Sequence, residues 1–297
     1  MMFTLTLVTP EPSSLPLAQS RTTQALAGQG VFPGLAAHLG PGAMDLPVEA
    51  AQAALPNLRR AALDAVWGLP VDVCVQPAEG RRKRLLISDM DSTIVACECI
   101  DELADYVGLK AEIAAITERG MRGEIDFEAG LRERVAMLKG MSKSDIDRCI
   151  AERVVVNPGA RTLIRTMTAA GARCLLVSGG FTLFVEHVSL DLGFDGFLSN
   201  VLEIEDGRLT GNVVGTVFGS PQKLKTLQDE AARLGLDLEQ TLAVGDGAND
   251  LAMIQAAGLG VAYRAKPVVA ERAAARVDEA DLTALLYFQG YRAEEFA

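Results

Sequence analysis

Residues 84–93 read RLLISDMDST: an apolar run, Leu85-Leu86-Ile87, breaks into Asp89-Met90-Asp91. Two carboxylates one residue apart repel each other, and at the end of a buried strand uncompensated charge is costly. A divalent cation offsets that repulsion. Hard carboxylate oxygens at a strand end suit Mg²⁺, which keeps several waters and favours substrate phosphates. Asp-x-Asp alone is a weak signal, because surface loops contain many. Further along, VGDGANDLAM adds Asp246 and Asp250, which would bring more carboxylates to the same place. Taken alone, Gly-Asp-Gly is equally a plain turn. The acidic spacing of a calcium loop, with its terminal Glu, is absent.

Ser178-Gly179-Gly180 lies between an apolar run and a helical stretch at Phe181–Val188. Small residues there let backbone N–H groups approach an anion at a helix N-terminus, or they simply tighten the turn. In DFEAGLRERVAMLKG, Phe127, Leu131 and Leu138 fall within roughly 40° of one another at 3.6 residues per turn. Arg134 sits in the middle of that stripe, whereas Arg132 points away. A guanidinium on an apolar face either snorkels out or meets an anion, and Arg suits a carboxylate. Cys97-Glu98-Cys99 hints at a metal site, but no second Cys/His pair completes it, since the only histidines are His38 and His187. The five cysteines are read as reduced thiols.

These residues need a scaffold that brings them together. Leu85–Ile87, Cys174–Val177 and Leu242–Val244 are continuous apolar runs separated by helical stretches, the pattern of a parallel sheet buried on both faces. Ligands bind beyond the carboxyl ends of such strands, so the three polar motifs should meet in one crevice. About 80 residues separate the first two runs. They read as helices at 100–107, 111–119, 127–139 and 143–152, a lid over the crevice. Asn200–Val214 reads as a β-hairpin turning at Asp206-Gly207. Ahead of the sheet, residues 3–8 and 71–75 read as strands, with helices near 15–27 and across the Ala-rich 47–66. The stretch between Gly28 and Gly42 shows little β signal. Pro77–Arg84 reads as a linker, its basic run Arg81–Arg84 solvated.

At 297 residues the chain holds one large domain with an insertion, or two domains. A hydrophobic share of 49% against 23% charged allows a sizeable core. A net charge of −11 argues against nucleic acid or an anionic membrane as partner. No apolar run is long enough to span a membrane and no secretory leader is evident, so a cytoplasmic protein is expected.

With those residues assembled, the chain resembles the haloacid dehalogenase superfamily of phosphohydrolases, from about Leu85 to at least Ala265. DMDST looks like the first family motif, VSGG the second, Lys223 the third and GDGAND the fourth. DMDST-x₄-E with FEAGLRERV resembles the branch that acts on phosphoserine. The resemblance implies an α/β fold. Its Rossmann-like parallel core would span residues 79–96 and 156–297, with a helical cap at 97–155. Residues 1–78 would be a small α+β domain, placed where some bacterial relatives carry an amino-acid-binding regulatory domain of the ACT type. It implies Asp89 as the nucleophile forming an aspartyl-phosphate and Asp91 as the acid/base. Mg²⁺ would be held by Asp89, Asp246 and the Asp91 backbone carbonyl, with Asp250 behind. Ser178, Gly179 and Lys223 would bind the phosphoryl oxygens, with Asn249 nearby. Glu98 and Arg134 would read an ammonium and a carboxylate. Lys225 competes with Lys223 for its role.

The expected activity is Mg²⁺-dependent hydrolysis of O-phospho-L-serine, the last step of serine biosynthesis, by a chain that could dimerise through residues 1–78. Two alternatives stand beside it. One is the same aspartyl-phosphate chemistry on another small phosphorylated alcohol or amino acid, or with transfer to another alcohol. The other is a binding protein that lost catalysis, which intact Asp89, Asp91, Lys223 and Asp246 disfavour.

Overall fold

The computed structural model describes residues 1–121 and 124–297; residues 122 and 123, inside the expected cap segment, lie outside it. The chain opens with β1 (Met2–Val8), α1 (Leu15–Ala27), β2 (Ala37–Gly40), β3 (Ala43–Glu49), α2 (Leu55–Ala65) and β4 (Asp72–Pro77). The strands form an antiparallel sheet in the order β2-β3-β1-β4, a split βαβ arrangement. Alternate residues Phe3, Leu5 and Leu7 bury against Leu15, Ala18, Leu26, Leu58 and Ala62 of the two helices.

Here the sequence reading needs correcting. Residues 43–49 are a strand and the helix begins only at Leu55. Pro47 disguised the strand, because proline weakens a strand assignment. Its carbonyl accepts from the Gly34 N–H (2.8 Å), so that edge faces away from β1 and the missing N–H costs no ladder bond there.

The second sheet begins with β5 (Leu85–Ser88). Four helices follow: α3 (Cys99–Tyr106), α4 (Lys110–Met121), α5 (Phe127–Met137) and α6 (Lys143–Arg153). Asp126 and Ser142 cap α5 and α6 by accepting from the Ala129 and Asp145 N–H groups. The chain continues through α7 (Ala160–Ala169), β6 (Arg173–Phe181), α8 (Thr182–Leu192), β7 (Gly196–Glu205), β8 (Arg208–Val214) and α9 (Ser220–Leu234). It closes with β9 (Thr241–Gly245), α10 (Leu251–Ala256), β10 (Leu259–Tyr263), α11 (Pro267–Ala270), β11 (Ala275–Val277) and α12 (Ala284–Phe288). The β7–β8 hairpin turns at Asp206 and Gly207, whose φ angles are 49° and 74°.

The sheet order is β11-β10-β9-β5-β6-β7-β8, parallel except for β8. Along β5, Leu85 and Ile87 enter one hydrophobic cluster and Leu86 the other, so both faces are covered and the run reads as continuously apolar. Ser88 aligns with Val244 of β9 and Leu176 of β6. That register brings Asp89, Asp246 and Ser178 to the same edge.

The basic run is not a solvated linker. The Arg81 guanidinium donates to Asp45 (2.6 and 3.0 Å), to Thr6 Oγ1 and to the carbonyls of Tyr287 and Phe288. Lys83 is buried, its Nζ donating to the Gly80 and Glu239 carbonyls. The run passes between the two sheets and the C-terminal segment. Arg82, which is exposed, pairs with Glu295 (2.6 Å), and Arg84 is exposed, so the run is solvated only at those two positions. Asp72 of β4 adds to this junction by accepting from the backbone N–H groups of Asp278, Glu279 and Ala280.

Candidate active site

Asp89 follows β5, 3% exposed, with its N–H donating to the Val244 carbonyl (3.0 Å). After it the chain turns tightly: Thr93, Ile94 and Val95 all donate to the Met90 carbonyl, and Ser92 has φ 57°. The turn holds Asp91 between two donors. Its Oδ1 accepts from the Cys99 N–H at the start of α3 (2.9 Å) and its Oδ2 from Ser178 Oγ (2.9 Å). Ser178 Oγ in turn accepts from the Gly180 N–H (2.8 Å). A Cβ on Gly180 would lie 3.0 Å from both Asp91 Oδ2 and Ser178 Oγ, so a larger residue there would push on both site side chains.

Lys223, in the first turn of α9, is fully buried and bridges Asp89 Oδ1 and Asp250 Oδ1, the latter at 2.7 Å. Asp250 Oδ2 accepts from the Gly247 N–H (3.1 Å). Lys225 is 71% exposed and pairs with Asp229, so the structure separates the two candidate lysines. Burial pushes the Lys223 ammonium towards neutrality, but Asp89 and Asp250 more than reverse this and hold it charged. Asp89 is pushed well above the carboxylate range by burial, with Asp250 and Asp91 adding to the effect and Lys223 opposing it. Asp246 is pushed up to about 6, first by burial and then by Asp250. Oxygens of Asp89, Asp246 and Asp250 lie within 4.8 Å of one another. This crowding of carboxylates, with all-oxygen donors, fits a hard divalent cation.

A cavity of about 490 Å³ opens above these groups, within the range of small-molecule sites. Asp89, Asp91, Gly179, Asp246 and Asn249 line its core side, and Glu98 and Arg134 its cap side. Glu98 faces the cavity and accepts from Ser92 Oγ (2.8 Å). Partial desolvation at the cavity mouth pushes its pKa up to about 7, and Asp91 adds to that. Arg134 donates to the Gly130 carbonyl (3.2 Å), while burial lowers its pKa against the pull of Asp101 and Glu98. Arg132 instead pairs with Glu128.

Of the expected site residues, Ser178 and Lys223 stand one bond behind the cavity wall, reaching it through Asp91 and Asp89. Phe127 does not join Leu131 and Leu138 in the core. It is 47% exposed, and its ring faces Gly179 and Gly219, whose added Cβ atoms would lie 3.3 and 3.2 Å from it. The first residue of α5 projects past the end of the apolar stripe, which helical spacing alone does not reveal.

Sequence reasoning missed Asp101, Thr117 and Lys266, which also line the cavity. Asp101 was findable, one turn after Glu98 on α3. Lys266 follows β10 at the same sheet edge, its N–H donating to the Asp246 carbonyl (3.1 Å), and strand order alone could have suggested it. Thr117 reaches the site only through the fold of α4.

A family profile described as haloacid dehalogenase-like hydrolase matches residues 86–255. The chain is 46% identical over 224 residues to the phosphoserine phosphatase of Polaromonas sp. (strain JS666), covering 74% of this chain and 95% of that one. The crystal structure of a probable phosphoserine phosphatase from Vibrio cholerae, unliganded, matches with a TM-score of 0.77 at 32% identity, over 97% of this chain and 86% of that one. A phospho-aspartyl intermediate analogue of a phosphoserine phosphatase matches with a TM-score of 0.64 at 38% identity, over 70% of this chain and 99% of that one.

Proposed function

The chain belongs to the haloacid dehalogenase-like hydrolases, and we propose that it is a phosphoserine phosphatase, cleaving O-phospho-L-serine to L-serine and inorganic phosphate. One observation carries the reading: a single cavity has Glu98 and Arg134 on its cap side and Asp89 and Asp91 on its floor. Two opposite charges separated from a carboxylate pair suit a substrate with an ammonium, a carboxylate and a phosphoryl group. A sugar phosphate would leave both sensors unpaired.

Asp89 attacks phosphorus through Oδ2, because Lys223 engages Oδ1. The P–O bond to serine breaks as Asp91 delivers its proton to the departing seryl oxygen. The aspartyl-phosphate on Asp89 is then hydrolysed by a water whose proton returns to Asp91, restoring both carboxyl groups. Hydrogen bonds from Ser178 and the Cys99 N–H hold Asp91 in place for both transfers. The Gly179 backbone and Asn249, on the cavity wall, serve the phosphoryl oxygens, while Ser178 and Lys223 act from behind it through Asp91 and Asp89. Asp89, Asp246 and the Asp91 carbonyl would hold Mg²⁺, with Asp250 fixing Lys223 behind them. The bound ion supplies charge neutralisation at the phosphoryl group.

Phosphoserine turnover with Mg²⁺ tests the reading. Asp89→Asn should lower kcat by roughly 10⁴-fold or more, and wild-type turnover by that variant would overturn the assignment.

For the N-terminal sheet we propose an effector-binding and dimerising role in a cytoplasmic enzyme, supported by its split βαβ topology and by β2 at a sheet edge. Serine titration and sedimentation test it. A monomer whose activity and melting temperature ignore serine would exclude it.

A further inference from the structure

The loop at Ser178–Gly180 interrupts its own sheet. Strand β6 pairs with β7 at Val177 and Leu198 and again at Phe181 and Asn200, so Ser178, Gly179 and Gly180 stand opposite the single residue Ser199. A bulge of this kind takes backbone groups out of the ladder, and here a side chain meets one of them. Asn200, 2% exposed, donates from Nδ2 to the Gly179 carbonyl (2.9 Å) and to the Phe218 carbonyl (3.0 Å). Its Oδ1 accepts from the Phe218 N–H (2.7 Å). Carbonyls only accept and a backbone N–H only donates, so these partners fix which way the amide faces.

We infer that Asn200 is a positioning residue that orients Asp91 through a one-way chain of hydrogen bonds. The Gly179 carbonyl and the Gly180 N–H belong to one peptide unit. Asn200 holds its carbonyl end, and its N–H end donates to Ser178 Oγ (2.8 Å). Ser178 Oγ then donates to Asp91 Oδ2 (2.9 Å). Every donor in the chain points towards Asp91. With Ser178 Oγ accepting from Gly180, its one proton is committed to the carboxyl. Donation to a carbonyl polarises the peptide and strengthens its N–H as a donor, so the links support one another. No proton moves along the chain; it fixes where the Asp91 carboxyl stands when the leaving oxygen departs.

A residue that merely filled the bulge would need to close only the gap between β6 and β7. Asn200 also grips both backbone groups of Phe218, in the segment that leads into α9. The Lys223 N–H donates to the Gly219 carbonyl at the next residue (3.1 Å). The peptide unit between Gly179 and Gly180 is thus pinned to a second segment distant in sequence, and it cannot tilt without straining bonds on both. The effect on turnover rests on the acid role proposed for Asp91, not on which alcohol leaves.

Phenyl phosphate and 4-nitrophenyl phosphate carry neither ammonium nor carboxylate and isolate the leaving group, since nitrophenolate departs with less help from an acid than phenolate. Assays use the Mg²⁺-loaded full chain, well below the melting temperature of each variant. Asn200→Asp keeps the side chain's shape and the bond from the Phe218 N–H, but turns an oxygen towards both carbonyls. It should lower kcat/KM on phenyl phosphate roughly tenfold and on 4-nitrophenyl phosphate by less than about threefold. Asn200→Ala should show the same pattern and replaces it if the first variant does not fold. In a Ser178→Ala background either substitution should change the ratio of the two values by less than about twofold, because the chain is already cut. Equal losses on both substrates, as a bulge filler would give, overturn the proposal. So does a selective loss that persists in full without the Ser178 hydroxyl. Asp91→Asn is the control. Selectivity there with none in Asn200→Asp overturns the chain alone, whereas no selectivity in Asp91→Asn overturns the acid role and the chain with it.

Discussion

Lys223 and Asp250 form an ion pair of 2.7 Å in which neither side chain is exposed, and the same ammonium reaches Asp89. One cation thus sits between two buried carboxylates. Removing it leaves two negative charges without a partner, so Lys223→Ala should destabilise the protein by about 3–5 kcal/mol and abolish phosphoserine turnover. Lys225→Ala, at an exposed pair with Asp229, should change stability by less than about 0.5 kcal/mol. Thermal melts and turnover of the two variants check this. Equal effects would mean that the wrong lysine has been assigned.

The crowded carboxylates of Asp89, Asp246 and Asp250 should make the fold responsive to divalent ions. Chelation should abolish activity, and Mg²⁺ at 100 times its Kd should stabilise the protein by about 2.7 kcal/mol. Asp246→Asn should remove most of that stabilisation while leaving the chelated protein at least as stable as wild type. Its carboxyl, pushed up to about 6 by burial, is costly to ionise. A full Mg²⁺ shift in the variant would rule Asp246 out as a ligand.

Glu98, with its pKa pushed up to about 7, should impose an acid limb on phosphoserine kcat/KM. Below that pH the carboxyl is neutral and no longer attracts an ammonium, so the value falls as pH drops. Glu98→Gln should be slower at pH 8 and should lack that limb. An aryl phosphate, which has no ammonium, should show the limb in neither protein. A limb that persists unchanged in Glu98→Gln would assign it to another group.

Arg134→Ala should lower phosphoserine kcat/KM by roughly 10- to 100-fold, the worth of a charged hydrogen-bonded contact. Its effect on an aryl phosphate should be small. Equal losses on both substrates would show that Arg134, which also bonds the Gly130 carbonyl, mainly holds the cap together.

Asp72 links the two sheets, and burial raises its pKa to about 6 despite three backbone N–H donors. A folded-state value above the unfolded one means that its contribution to stability is full below about pH 4 and is lost as pH rises through about 6. Over that window the stability of wild type minus that of Asp72→Asn should fall by about 3 kcal/mol, two pKa units at 1.36 kcal/mol each. A difference that is flat with pH would place the titration elsewhere.

What the sequence determined by itself was local and periodic. Apolar runs marked β5, β6 and β9, and each ended in the residues that form the site floor. Spacing located the four cap helices, and Asp206-Gly207 marked the hairpin turn. Covalent order and side-chain type suffice for such features, because strand ends and helix faces follow from backbone geometry. Tertiary structure decided what depends on partners distant in sequence. It separated Lys223 from Lys225, because only Lys223 lies buried between two carboxylates. It put Phe127 over the site rather than in the core and tied Arg81 and Lys83 of a basic run to distant oxygens. It also hid β3 behind Pro47, whose cost depends on which side of the strand is paired. Burial and pairing are properties of the assembled chain, and they set both the charge of a side chain and what it can reach.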